Sequence, residues 1–253
     1  MTMSEYLPHA VAAEMPVSFG SEALKAQAVA ARTYILASNR HENADICTDS
    51  ACCLAYRSED ELRALWGSDY EKNMSEIQAA VAATDGQILT YRGKIIQSVF
   101  HASSAGSTES SAAVWAETPY LIAVSSPETT EAVPDLISIV RVMPEELAAQ
   151  LDLSTEDEPS EWFIGIEEDA AGRVQTLHIA GQALSGRLVR SALGLKSTDF
   201  TVEFDGEAFV FSVLGNGHGV GMSQVGAKLL AAEGWSYDEI LAHYYPGTEL
   251  IAP

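Results

Sequence analysis

Phe209-Val210-Phe211-Ser212-Val213-Leu214, then Gly217-His218-Gly219-Val220-Gly221-Met222-Ser223-Gln224-Val225-Gly226, is the stretch that decides the fold. Its first six residues alternate in the way a half-buried strand does. Beyond Gln224, the residues Val225, Leu229 and Ala232 fall on one face of a helix. Four glycines in ten residues, 217 to 226, build no core and let backbone N–H groups approach something closely. On one reading they end a strand and open a helix whose first N–H groups point at a ligand. On the other they form a tight strand-to-helix turn around a packed histidine.

Working outward, Asp205-Gly206 turns Phe200–Phe204 into that strand. Phe163–Ile166 and Val174–Ile179 alternate around Ala171-Gly172, and Gln87–Tyr91 and Lys94–Phe100 flank Arg92-Gly93. Val114 to Val124 adds aromatic and β-branched residues around Pro119. Helical periodicity occupies the two ends. Ser4 to Glu14 carries Leu7, Val11 and Met15 on one side and stops at Pro16. Ser21 caps a second helix with Leu24, Ala28, Ala31 and Ile35 as its inner stripe. Ser58 with Glu61, Ser75 with Gln78, and Ser236 with Glu239 read as capping boxes. The expected class is α+β. Helices at both chain ends pack on central, mostly antiparallel strands, with a strand-rich inserted subdomain. The expected parts are 1–127, 128–208 (an acidic, strand-rich insert) and 209–253.

Composition bounds function. The chain has 253 residues and 47% apolar content, enough for a substantial core. Fourteen basic against 36 acidic residues leave a net charge of −22, which argues against nucleic acid and against anionic membrane surfaces. No run of apolar residues is long enough to span a bilayer. Met1-Thr2-Met3 runs almost directly into amphipathic sequence with no signal peptide, so the expectation is a cytoplasmic protein or a trimmed chain.

Several residues could carry chemistry. Glu14 closes its helix, where the negative end of the dipole opposes ionisation by ~0.3–1 kcal/mol. Partial burial there would raise its pKa further, as a general acid requires, whereas a surface position would leave it an ordinary glutamate. Gln27 and Arg32 are five apart on the second helix and share no tight stripe. His41, Cys47, Cys52 and Cys53 lie within 13 residues and offer a Cys3His set for structural zinc. Buried thiols or a Cys47–Cys53 disulfide are the alternatives, and we favour zinc. His101-Ala102-Ser103-Ser104 ends a strand in small hydroxyl residues, which suit hydrogen bonding to sugars. A Ser–His nucleophile is also conceivable there, but no G-x-S-x-G elbow exists. There is no H-E-x-x-H and no phosphate loop, and the glycine run does not fit G-x-G-x-x-G.

Taken together and in order, these segments resemble the stage II sporulation protein D family. The resemblance is carried by Glu14-Met15-Pro16, Ala23–Ala28, Ala31-Arg32-Thr33-Tyr34, Phe100–Gly106, Pro119-Tyr120-Leu121, Ser197–Phe200, Gly217–Gly226 and His243–Thr248. It implies a lytic transglycosylase that cleaves the β-1,4 bond between N-acetylmuramic acid and N-acetylglucosamine and leaves a 1,6-anhydro end. It further implies peptide-stripped peptidoglycan strands as substrate, a cell-wall amidase or endopeptidase as partner, and an extracytoplasmic place held by an N-terminal anchor. The family glutamate maps onto Glu14. The zinc loop maps onto His41, Cys47, Cys52 and Cys53, with cysteine at the position of the family's second histidine. Gln27, Ser103, Ser104, His218, Ser223, Gln224 and Tyr244 become candidates for lining a saccharide groove. Arg32 is expected to hold Glu14 or a lactyl carboxylate. A non-catalytic wall-binding stimulator of an amidase is the alternative, with a zinc hydrolase behind it.

Overall fold

The computed structural model describes residues 2–38, 47–49, 53–154 and 156–252. In chain order the helices are α1 (Met3–Glu14), α2 (Ser21–Ala37), α3 (Glu59–Trp66), α4 (Tyr70–Ala83), α5 (Ser111–Val114), α6 (Pro144–Leu151), α7 (Gly186–Leu193), α8 (Gln224–Ala232) and α9 (Tyr237–Tyr244). The strands are β1 (Ile88–Tyr91), β2 (Lys94–Ile95), β3 (Phe100–His101), β4 (Ile137–Val142), β5 (Phe163–Glu168), β6 (Val174–Ile179), β7 (Gln182–Ser185), β8 (Phe200–Phe204), β9 (Phe209–Leu214), β10 (Met222–Ser223) and β11 (Glu249–Ile251). The class is α+β, with helices toward both ends and antiparallel strands between them.

The chain forms two compact units. The first comprises 1–100, 119–122 and 221–253. Its centre is α2, whose residues from Ala23 to Thr33 are almost all buried. The alanines leave little side-chain bulk, so α1, α4, α8, α9 and β1 all reach this one helix. That differs from the single inner stripe expected: a helix surrounded on every side buries every face. Ser21 is not its cap. Gly20 fills that place at φ +91°, without a side-chain hydrogen bond. The α4 helix starts at Tyr70, after a 3-10 turn over Gly67–Asp69, so Ser75 lies inside it. The Ser58–Glu61 and Ser236–Glu239 boxes form as read. In the small sheet β11-β1-β2, Thr90 stands opposite Glu249 on one side and Ile95 on the other.

The second unit comprises 101–118 and 123–220. It holds two antiparallel sheets, ordered β4-β9-β8 and β5-β6-β7. Strand period is clear in β9: Phe209, Phe211 and Val213 are buried and their alternates are half-exposed. They join Trp162, Leu177, Ile179, Val189 and Phe200 in one core. The hairpins expected around Arg92-Gly93, Ala171-Gly172 and Asp205-Gly206 form. Val114 to Val124 makes no strand; α5 ends within it and irregular chain follows. The chain passes from one unit to the other after Phe100, Thr118, Ile122 and Val220, while the parts expected from the sequence divide after 127 and 208.

Candidate functional site

In the first unit the chemistry centres on Glu14. It occupies the last position of α1, and Met15 leaves the helix at extended φ/ψ. Its carboxyl is half-buried. The Ala55 N–H donates to Oε1 at 3.0 Å, and the side-chain amide of Gln224 donates to the same carboxyl. Burial raises the pKa above the ordinary glutamate value, while these two donors pull it partly back. Gln224 opens α8 and is held in turn: its Nε2 donates to Gln27 Oε1 at 3.4 Å. Gln27 is fully buried in α2. Glu14, Gln27 and Gln224 therefore form one chain of contacts assembled from positions two hundred residues apart. The Ala55 donor is a backbone group, which no side-chain pattern could have flagged.

Other expected residues of this unit have different tasks. The Ser223 hydroxyl caps α8, accepting from the Gly226 N–H at 3.2 Å. Tyr244 is fully buried, its ring edge-on to His243. Arg32 does not reach toward Glu14. Its guanidinium donates to Gln87 O (3.0 Å) and Val81 O (3.3 Å), tying down the end of α4, and it lines a cavity of about 700 Å³ with Thr2, Ser4, Gln78 and Asp85. The geometry follows from α2 placing Arg32 five residues beyond Gln27, on another face of the helix.

Of the cysteine cluster, His41 and Cys52 lie outside the described residues. The Tyr6 hydroxyl donates to Cys47 O at 3.4 Å, and its pKa is pushed up to about 12 by burial first and then by the charges of Cys53, Cys47 and Glu14. The Cys53 N–H donates to Asp49 O at 2.7 Å, closing the loop that carries both.

The second unit holds the histidines. His101 Nδ1 donates to Val220 O at 3.2 Å, so Nε2 is the acceptor for Ser104 Oγ at 2.6 Å. The Ser104 N–H donates to Glu128 Oε1 at 2.9 Å. Complete burial, with His218 and Arg173 nearby, holds His101 well below its ordinary pKa and neutral. Ser104 has no exposed surface and Ser103 is buried as well. This Ser–His pair is therefore an internal fastening, the polar-turn alternative in a firmer form. His218 is half-buried; it accepts from the Val220 N–H at 3.1 Å and stands beside His101 and Trp115.

The glycine run has a different purpose from a ligand cradle. A Cβ at Gly217 would sit 2.7 Å from His101 Cβ, at Gly219 2.5 Å from the Arg173 guanidinium, and at Gly221 2.0 Å from Val99 O. All three residues have positive φ. They allow protein to pack on protein, and α8 begins only after β10, with its first turn capped by Ser223. Beneath Gly219, Arg173 is buried, and its Nε lies 3.8 Å from Glu109 Oε2. Burial, then the adjacent Asp169 carboxyl, pushes Glu109 up to about 7. Sequence reading missed this cluster, because Glu109 lies far along the chain from the turn between β5 and β6 that holds Asp169 and Arg173.

The chain belongs to the stage II sporulation protein D family. A family model described as Stage II sporulation protein matches residues 1–91. Stage II sporulation protein D of Bacillus amyloliquefaciens is 38% identical over 98% of this chain and 74% of its own length. The protein of the same name from Bacillus subtilis (strain 168) is also 38% identical, over the same shares. An amidase enhancer of Bacillus subtilis (strain 168) is 30% identical over 94% of this chain and 39% of its own length.

Proposed function

We propose that this protein acts on the cell wall in sporulation, as a lytic transglycosylase on peptide-stripped peptidoglycan strands. The observation that carries the reading is the environment of Glu14, at the end of α1 with a raised pKa and two N–H donors. Burial favours the protonated form that donates to the glycosidic oxygen. The Ala55 and Gln224 donors then receive the carboxylate left behind. That carboxylate takes the proton from the muramoyl C6 hydroxyl as its oxygen bonds to C1 and the C1–leaving-oxygen bond breaks. Because the nucleophile belongs to the substrate, one carboxyl suffices, and proximity replaces an activated water. Gln224 orients Glu14, and Gln27 orients Gln224.

Zinc, held by His41, Cys47, Cys52 and Cys53, would stiffen the loop that leads to Ala55; it has no part in the steps above. Action on the wall implies an extracytoplasmic location, with anchoring through an N-terminal segment as the family resemblance implies. Among the described residues no helix is long and apolar enough to cross a membrane. The similarity to an amidase enhancer supports a second reading, a wall-binding stimulator of an amidase, which would be independent of Glu14.

The deciding experiment weighs the ends of glycan strands after incubation with wild type and with Glu14→Gln. Anhydro ends, one water lighter than hydrolytic ones, are expected only from wild type. Hydrated ends alone would overturn the mechanism. Amidase stimulation that survives Glu14→Gln, with no cleavage by either protein, would establish the second reading instead.

A further inference from the structure

Of the four tryptophans, Trp162 is buried, Trp66 and Trp235 are half-buried, and only Trp115 is exposed, at 49%. An indole half in water offers a large, rigid apolar face with a polar N–H at its edge to a partner. The segment that presents it is tied down at several points. The Trp115 N–H donates to Ser111 O at 2.7 Å, Arg187 Nη1 donates to Val114 O at 2.6 Å, and the Thr118 N–H donates to Ser111 Oγ at 2.8 Å. His218 braces the ring, centroid to centroid at 5.0 Å and inclined by 62°. His218 is fixed in its turn by Gly217 and Gly219, whose positive φ and close packing permit no side chain.

We propose that Trp115, braced by His218, is a stacking platform for a pyranose ring of a β-1,4-linked N-acetylglucosamine-containing chain. This rests on the glycan reading above. A pyranose presents a face of axial C–H bonds that fits the negative face of an indole, and its rim of hydroxyl and amide groups suits the exposed Arg187 and Glu117 beside the loop. Nucleobases stack on such platforms too, but the net charge of −22 repels their phosphates. The pinned loop keeps the ordering cost of binding low. The glycine-rich run thereby gains a role at one remove from substrate: it sets the histidine that sets the platform.

The test uses the Glu14→Gln protein, so that binding is read without turnover. It is titrated with the N-acetylglucosamine tetramer and with peptide-stripped glycan strands, by calorimetry and by indole emission. A saturable emission change is expected. Trp115→Ala should weaken binding by about tenfold or more, and Trp115→Phe should retain most of the affinity while losing the emission change. Circular dichroism and melting of Trp115→Ala should match the parent, since the indole lies outside the core. Unchanged affinity in Trp115→Ala overturns the proposal, as does an emission change that persists in Trp115→Phe. Absence of saccharide binding, with capture of a peptide or protein at this loop, overturns it too. If wild type leaves hydrated ends while Trp115→Ala still loses binding, the mechanism at Glu14 falls and the platform stands.

Discussion

At Glu14 two opposing influences meet on one carboxyl: burial that favours the proton and two N–H donors that favour its loss. Removing one donor shifts the balance in a known direction. Gln224→Leu leaves Ala55 as the remaining donor of the pair, so the pKa of Glu14 rises further. Turnover needs the protonated acid, so the limb of the pH–rate profile that falls with rising pH should move to higher pH. A profile that drops in height without moving would mean Gln224 contacts substrate and not the acid. Glu14→Gln should lower turnover by about a thousandfold or more. A raised folded pKa also means that Glu14 costs stability as it ionises. Glu14→Gln should therefore melt no lower than wild type, and increasingly above it as pH rises and Glu14 ionises, which differential scanning calorimetry over a pH series would show.

Among the elements, α8 depends on its first turn. Ser223→Ala removes the cap and should cost about 1 kcal/mol in chemical denaturation. Because Gln224 follows directly, turnover should fall more than stability does. Gly221→Ala is a harsher change. Its φ is +73° and the new Cβ would meet Val99 O at 2.0 Å, so the backbone must move. A loss on the order of 3 kcal/mol or failure to fold is expected, against a few tenths for Gly234→Ala beyond its φ strain, since nothing lies within 4 Å there. Much at this scale was legible beforehand. The Ser58–Glu61 box and the three hairpin turns are local, fixed by residues within a few positions of one another. The beginning of α4 was misread because Ser75 fits a capping pattern that Tyr70, packed from a preceding 3-10 turn, overrides. The Val114–Val124 segment has strand composition, yet the N–H groups of Trp115 and Thr118 bond back to Ser111, and Val124 meets Thr108 only beside an isolated bridge, in place of a ladder.

For the whole molecule, charge and buried acids set the response to conditions. Glu109 is raised from 4.5 to about 7 and Asp199 from 3.8 to about 6, both chiefly by burial. Such groups bind more protons folded than unfolded. Their contribution is complete below the unfolded value and is lost as pH rises through the folded one. For Glu109 that contribution is lost as pH rises toward about 7. Stability should thus fall from pH 5 to pH 7, and Glu109→Gln should flatten that slope in urea titrations. A slope identical to wild type would remove Glu109 from the account. With a net charge of −22, added salt should raise the melting temperature at neutral pH by screening self-repulsion.

The sequence by itself determined the α+β class, the position of most turns and caps, the kinship to the family, and Glu14 as the acid to examine. These follow from local spacing and from motifs that need no knowledge of what lies beside them. Only the tertiary structure decided what each polar side chain touches. It joined Gln27 and Gln224 to Glu14, directed Arg32 to carbonyls, buried Ser104 against His101 and left Trp115 in water. It also decided between the two readings of the glycine-rich run, the ligand cradle and the tight turn around a packed histidine, in favour of packing on its own protein. The physical reason is the same in each case. A hydrogen bond or a close approach depends on distances of a few ångströms between segments far apart in the chain, and those distances are set by packing.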